Sequence, residues 1–168
     1  MKKFFLVLSL AVLSMAGTKA QSLTVFIHDS DGPFSNVRNA PNGKIVDRIP
    51  TDKNAMLDVY APVNGWWQIA DQSYFVPDGG MPHLAAAKNH YIHNSCIAVS
   101  TRNYGGQRLY LRKTPSAKGK AVYSFSQETL LRPIDITNGW VKVKTLDGKH
   151  TGWIQDEWIC GNSVTNCN

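Results

Sequence analysis

Near the C-terminus, two tryptophans and two lysines fall on alternate positions of a short hairpin. Asp147-Gly148 is a two-residue turn signal. Leu146 then faces Lys149, and pairing runs back through Val143 with Gly152, Lys142 with Trp153, and Val141 with Ile154. Side chains alternate faces along a strand, so Val141, Val143 and Ile154 share the inner face. Trp140, Lys142, Lys144 and Trp153 are left on the outer one. Indole rings beside ammonium groups suit stacking against a sugar ring or a peptide. The same rings equally suit covering the end of a small sheet or a domain junction, and both uses stay open. Trp is enriched where surfaces meet. Trp158, just past the last strand, fits either use.

Other chemistry-bearing residues give less. Cys96 has His90 and His93 close in sequence, but a Cys-His dyad forms through space, not along the chain. Residues three apart on a strand point to opposite faces, which also weakens a His90, His93, Cys96 metal set. Asp29 and Asp31 beside Gly32 look like the start of a calcium loop without its remaining ligands or closing Glu. No catalytic residue, metal ligand or cofactor is therefore assigned.

The elements that must position these residues come from a repeat. Asn138-Gly139-Trp140 echoes Asn64-Gly65-Trp66, and Arg112-Lys113-Thr114-Pro115 echoes Arg38-Asn39-Ala40-Pro41; 138 − 64 and 112 − 38 both give 74. A fixed-period echo signals one structural unit written twice. Leu23, Val25 and Ile27 alternate with polar neighbours as a strand, and the turn signal Asp29-Ser30-Asp31-Gly32-Pro33 ends it. Further short strands are expected over 44–49, 56–61 and 66–69, then over 109–113, 121–125, 129–136 and 140–146. No helical periodicity runs through residues 21–168, so the fold is predicted to be all-β. In the first copy the alternation places Trp67 and Ile69 inside and Trp66 with Gln68 outside.

Asn36-Val37-Arg38-x-x-Pro41, the Asn-Gly-Trp turns and Thr151-Gly152-Trp153-Ile154 together resemble the bacterial SH3-like domain, a small barrel of five to six strands. Both copies fit, over 35–99 and 108–160, although His90-Tyr91-Ile92 stands in the first where Gly152-Trp153-Ile154 stands in the second. The resemblance implies two tandem SH3-like barrels, over 21–101 and 102–168. Trp66 to Tyr91 is 25 residues and Trp140 to Trp153 is 13, so the first unit carries twelve extra residues in its last hairpin. This insert holds Tyr74, Phe75 and Met81 and is less polar than a plain surface loop. It reads either as an excursion packed on the neighbouring barrel or as a binding loop over 73–88.

Residues 1–20 have a basic start, an apolar run over 4–16 and a small residue at Ala20, the pattern of a cleaved signal peptide. Thirteen apolar residues fall short of the roughly 20 needed to span a bilayer. No lipid-bearing Cys stands at position 21, so the product is expected free in the periplasm or secreted, with no membrane insertion. Lys2, Lys3 and Lys19 leave with the signal and no acid does, so the formal charge of +6 becomes +3. That weak excess argues against nucleic acid, which calls for a clustered basic stripe. Three cysteines in an exported chain suggest one bridge and one leftover thiol. Cys160 with Cys167 is the preferred pair and Cys96 the free thiol; the alternative has Cys96 joining the two units.

The resemblance implies a non-enzymatic binding module for peptidoglycan stem peptide, cell-wall glycan or a protein partner. Its candidate ligand-binding residues are Trp140, Lys142, Trp153, Trp66, Tyr74 and Phe75. A second reading is an inhibitor or immunity-type protein that blocks an enzyme through loop 73–88. A third, with the least behind it, is a cell-wall hydrolase using Cys96.

Overall fold

Alternating apolar residues and frequent turn signals give strands and almost nothing else. The structure is a computed structural model and describes residues 21–167, so the expected signal segment 1–20 lies outside the described residues. The first half contains β1 (Leu23–Ile27), β2 (Phe34–Arg38), β3 (Ile45–Pro50), β4 (Met56–Val63), β5 (Trp66–Ile69), β6 (Tyr91–His93) and β7 (Ile97–Ala98). The second contains β8 (Ser100–Thr101), β9 (Leu109–Arg112), β10 (Ala121–Phe125), β11 (Leu131–Thr137), β12 (Trp140–Thr145), β13 (Thr151–Gln155) and β14 (Ile159–Cys160). Three single-turn 3-10 helices, Thr51–Lys53, Asn94–Cys96 and Asp156–Trp158, complete an all-β, SH3-like fold. Among the described residues no helix is long and apolar enough to cross a membrane.

The sequence echo reappears as topology. One sheet has the order β3-β2-β6-β5-β4-β1-β7, a second β10-β9-β13-β12-β11 and a third, two-stranded, β14-β8, and the five-strand order of the second recurs within the first. Individual bonds recur with it. Arg38 donates from Nη1 to the Gly43 carbonyl at 2.7 Å, and Arg112 to that of Gly119 at 2.8 Å, each arginine closing the turn after its own strand. The Asn-Gly turns sit at positive φ in both halves, 49° and 83° at Asn64-Gly65 and 44° and 77° at Asn138-Gly139. This is the backbone a tight hairpin needs and Asn and Gly tolerate. Each turn's glycine carbonyl then accepts from the start of a 3-10 helix, Asn94 N–H at 2.8 Å and Asp156 N–H at 2.9 Å.

The halves join without a linker. β7 pairs with β1 through Ala98 and Ile97, whereas Val99 bonds Leu131 in both directions at 2.9 Å and β8 pairs with β14. The segment 97–101 is buried throughout and changes partner between Ala98 and Val99. A single apolar cluster runs across the junction, from Val25, Val59 and Trp67 to Leu131, Val143 and Ile154. Trp67 is fully buried and its indole N–H donates to the Pro133 carbonyl at 3.1 Å. A bulge in β11 between Pro133 and Asp135 interrupts the ladder at that point. The Arg132 guanidinium donates to the carbonyls of His28 (3.2 Å) and Ile97 (3.1 Å), tying β11 to the β1–β7 edge of the first sheet.

The C-terminal segment crosses back over the first half. Gly161 packs so closely that an added Cβ would stand 2.1 Å from the Thr24 carbonyl oxygen, and Ser163 donates to the Asn54 carbonyl at 3.2 Å. A disulfide joins Cys160 to Cys167 around this strap, while Cys96 is a free, half-buried thiol.

The junction should be acid-sensitive. His28 and His93 are both held below the usual imidazole value, first by burial and then by the Arg132 charge. A depressed imidazole binds its proton more readily in the unfolded chain, so stability is fully present above the unfolded value of 6.5 and falls as pH drops below it. Urea midpoints should fall between neutral pH and pH 5, and Arg132→Gln should flatten that slope. A midpoint independent of pH over this range would contradict the assignment.

Candidate functional site

The hairpin β12–β13 forms with Val141 opposite Ile154, Lys142 opposite Trp153 and Val143 opposite Gly152. Val141, Val143 and Ile154 are buried, whereas Trp140, Lys142 and Trp153 are half-buried on the outer face and Lys144 is exposed. Lys142 lays its ammonium 5.7 Å from the centre of the Trp153 ring, within cation–π range. On its other side Trp153 faces Arg112 of β9, so one row across the sheet reads Arg112, Trp153, Lys142.

Beside this row lies a cleft of about 270 Å³ in which Tyr110, Arg112, Trp140, Gln155 and Trp158 meet, with Arg108 at the mouth. Tyr110 is 40% exposed and Arg112 holds its guanidinium 5.7 Å from the Tyr110 ring centre. Three other hollows are as large or larger, about 340 and 330 Å³ along the junction and the C-terminal strap and about 280 Å³ between Arg102, Glu157 and Trp158. The first two have no Trp or Tyr in their walls, and the third holds Trp158 with one cation and one acid. Ligand sites combine aromatic and apolar walls with a few placed polar groups, and the cleft joins three aromatic rings to two guanidinium groups.

Trp140 therefore lines the cleft, while Trp153 and Lys142 form its shoulder. Tyr110, Arg108, Arg112, Gln155 and Trp158 were not among the expected ligand-binding residues. The alternation of Leu109-Tyr110-Leu111-Arg112 already puts Tyr110 and Arg112 on one face. The contact of β9 with β13, which brings that face to the tryptophans, joins strands some forty residues apart and carries no hairpin signal.

Trp66, expected outside, is only 7% exposed. His93, its cross-strand partner, packs edge-on at 5.0 Å between ring centres, and the Arg38 guanidinium caps the ring at 5.8 Å. The first half thus fills with its own side chains the position that is open around Trp140. Strand pairing sets Gln155 opposite Trp140 as it sets His93 opposite Trp66, and Trp158 stands where the first half has Cys96.

The long insert also departs from expectation at Tyr74, which is 9% exposed and joins the core with Val76 and Leu84. The loop folds back as a bridge between Met56 and Phe75, with N–H···O bonds of 2.8 and 2.7 Å, and strand alternation then turns Tyr74 and Val76 inward. Phe75 and Met81 remain outside, at 42% and 61% exposure. The insert packs on the first half's own β4.

Cys96 sits beside Asp29 and Ser95, and burial first, then the Asp29 carboxylate, pushes its thiol up to about 11. His90 is buried with its Nε2 on the Ala85 carbonyl at 2.9 Å, and His93 turns Nδ1 to Ser95 Oγ at 2.8 Å. The thiol thus stays protonated at neutral pH, and both imidazoles are engaged elsewhere. Among the described residues no group of three or more His, Cys, Asp or Glu gathers as a metal site.

Residues 107–159, which contain the cleft, match the family model of the bacterial SH3 domain. No curated protein matches the chain. Among solved structures, NlpC1 from Trichomonas vaginalis aligns at 11% identity over 91% of this chain and 50% of its own, with a TM-score of 0.34. NlpC2 from Trichomonas vaginalis aligns at 8% identity over 90% and 53%, with a TM-score of 0.33. The chain spans about half the length of either.

The Cys96 environment is checked by alkylation. Iodoacetamide should modify the folded chain at neutral pH far more slowly than the urea-unfolded chain, because the thiolate is the nucleophile. The folded rate should climb as pH approaches 11, and the stability tied to the raised thiol should be lost between 9.0 and about 11. Alkylation of the folded chain at the unfolded rate would contradict this.

Proposed function

We propose that this chain is an exported, non-enzymatic binding module that recognises a cell-wall peptide or glycan in the cleft between β9, β12 and β13. The observation that carries the reading is the convergence of Tyr110, Trp140 and Trp158 with Arg112 in an open cleft within the segment that matches a bacterial SH3 domain. Domains of that kind are binding modules, often for cell-wall components. Export is supported by the signal pattern of residues 1–20 and by the Cys160–Cys167 disulfide, which belongs in an oxidising compartment.

In this reading the first half is a second, diverged copy of the same domain, supported by the shared five-strand order and the paired arginine–turn bonds. Its own version of the cleft is closed by His93 and Arg38 over Trp66. One ligand site per chain follows. The inhibitor reading retains one observation in its favour, the exposure of Phe75 and Met81 on the loop 73–88. Partner enzymes would then meet that tip and leave the cleft untouched.

Sedimentation with purified peptidoglycan sacculi tests the proposal. Trp140→Ala and Trp153→Ala should each weaken binding by at least about tenfold, as truncation of an interfacial aromatic does. Both rings are half-buried, so their stability cost should be about 1–2 kcal/mol, between that of a surface site and a buried aromatic. Binding abolished by Phe75→Ala and indifferent to both tryptophan variants would move the site to the loop.

A further inference from the structure

We propose that the cleft takes a carboxylate carried beside a ring or a short apolar group, either a sugar acid or the C-terminal end of a short peptide. This rests on the binding reading above and names the ligand chemistry of that site. The charged side chains that line the cleft are Arg108 and Arg112, and no Asp or Glu is among its walls. Asp156 and Glu157, the nearest acids in sequence to Trp158, stand outside the lining, and Asp156 accepts from Gln21 at 3.3 Å. Among the described residues the ion pairs are Lys53 with Asp52 and Lys149 with Asp147, so Arg108, Arg112 and Lys142 face the cleft and its shoulder without a carboxylate partner.

The two arginines are placed differently. Arg112 commits Nη1 to the Gly119 carbonyl at 2.8 Å and rests beside the Tyr110 ring, which fixes the plane of its guanidinium and leaves its other donors available. Arg108 is exposed, but its backbone is anchored one residue earlier. The Gln107 carbonyl accepts from Asn103 at 3.1 Å, and the 1%-exposed Asn103 is itself held by Thr101 Oγ1 at 2.8 Å. A planar, oriented guanidinium binds a carboxylate through two parallel bonds, a geometry an ammonium cannot copy. Tyr110, Trp140 and Trp158 supply flat apolar walls for the body of the ligand. The space of about 270 Å³ lies at the small end of ligand pockets, room for a single ring or two residues of peptide.

The first half supports the assignment by contrast. At the same spacing of 74 residues, Phe34 stands where the second half has Arg108, and Arg38 spends its guanidinium on Trp66. The cationic pair and the open aromatic walls occur together in the second half.

The test is a titration of the whole chain followed by the indole N–H resonances of Trp140 and Trp158. Two matched pairs serve as probes: N-acetylmuramic acid against N-acetylglucosamine, and D-alanyl-D-alanine against its C-terminal amide. The acid of at least one pair should bind about tenfold or more tightly than its neutral partner, the difference a charged hydrogen bond makes. The pair showing that gap identifies the source, sugar or peptide. Arg108→Gln should abolish the gap without changing the melting temperature; Arg112→Lys, which keeps the charge but loses the fork, should reduce it.

Equal binding of acid and neutral partner in both pairs would overturn the carboxylate inference and leave the cleft as a binding site. So would sacculus binding that depends on Trp140 but is indifferent to Arg108→Gln. Absence of binding to probes and sacculi alike would overturn the site itself.

Discussion

Five consecutive residues, 97–101, belong to two sheets at once, and the arrangement of the molecule depends on that constraint. Ile97 and Ala98 complete the first sheet against β1, and Val99 bonds Leu131 before Ser100 and Thr101 pair with β14. Every residue of the segment is buried, so each of its peptide groups must find a partner within the protein. Separating the halves would expose the Val99–Leu131 pair, the Trp67–Pro133 bond and both Arg132 bonds together. Each such bond, exchanged for one to water, contributes about 0.5–1.5 kcal/mol. The halves are therefore held as a continuous core, and the cleft of the second half keeps one orientation relative to the first.

The two halves share a five-strand order and differ in the surface they present. Val25 and Val99, Leu57 and Leu131, Arg38 and Arg112, and Trp66 and Trp140 keep the same spacing because each pair does the same structural work. The halves differ at inner positions, as where buried Trp67 stands 74 residues before buried Val141, and also on the outer face. His93 against Trp66 closes a surface that Gln155 against Trp140 leaves open, and Cys96 against Trp158 exchanges a protonated thiol for an aromatic wall. Beneath the open surface Val141, Val143 and Ile154 stay buried. The strand order is thus common to both halves while their outer surfaces differ.

Legibility in the sequence followed the range of the interactions. The register of the last hairpin was readable because Asp147-Gly148 fixes the turn and alternation does the rest, and Trp140, Lys142 and Trp153 share the face that this predicts. Trp66 obeyed the same alternation, yet its exposure was decided by His93 and Arg38, which approach from two other strands. Tyr74 was lost to the site for a comparable reason, since a bridge from Phe75 to Met56 turns it into the core. Half of the cleft was out of reach because Tyr110 and Arg112 meet the tryptophans only through the pairing of β9 with β13. Local periodicity gives faces; long-range pairing decides which faces stay open.

Hydrogen exchange of the full chain, free and bound to peptidoglycan sacculi, tests most directly whether the open cleft of the second half is the binding surface. Added protection is expected in peptides covering 107–112 and 138–158, with those covering 64–68 and 73–88 unchanged. Protection at Trp66 or along the 73–88 loop, with the cleft peptides exchanging as in the free chain, would contradict it.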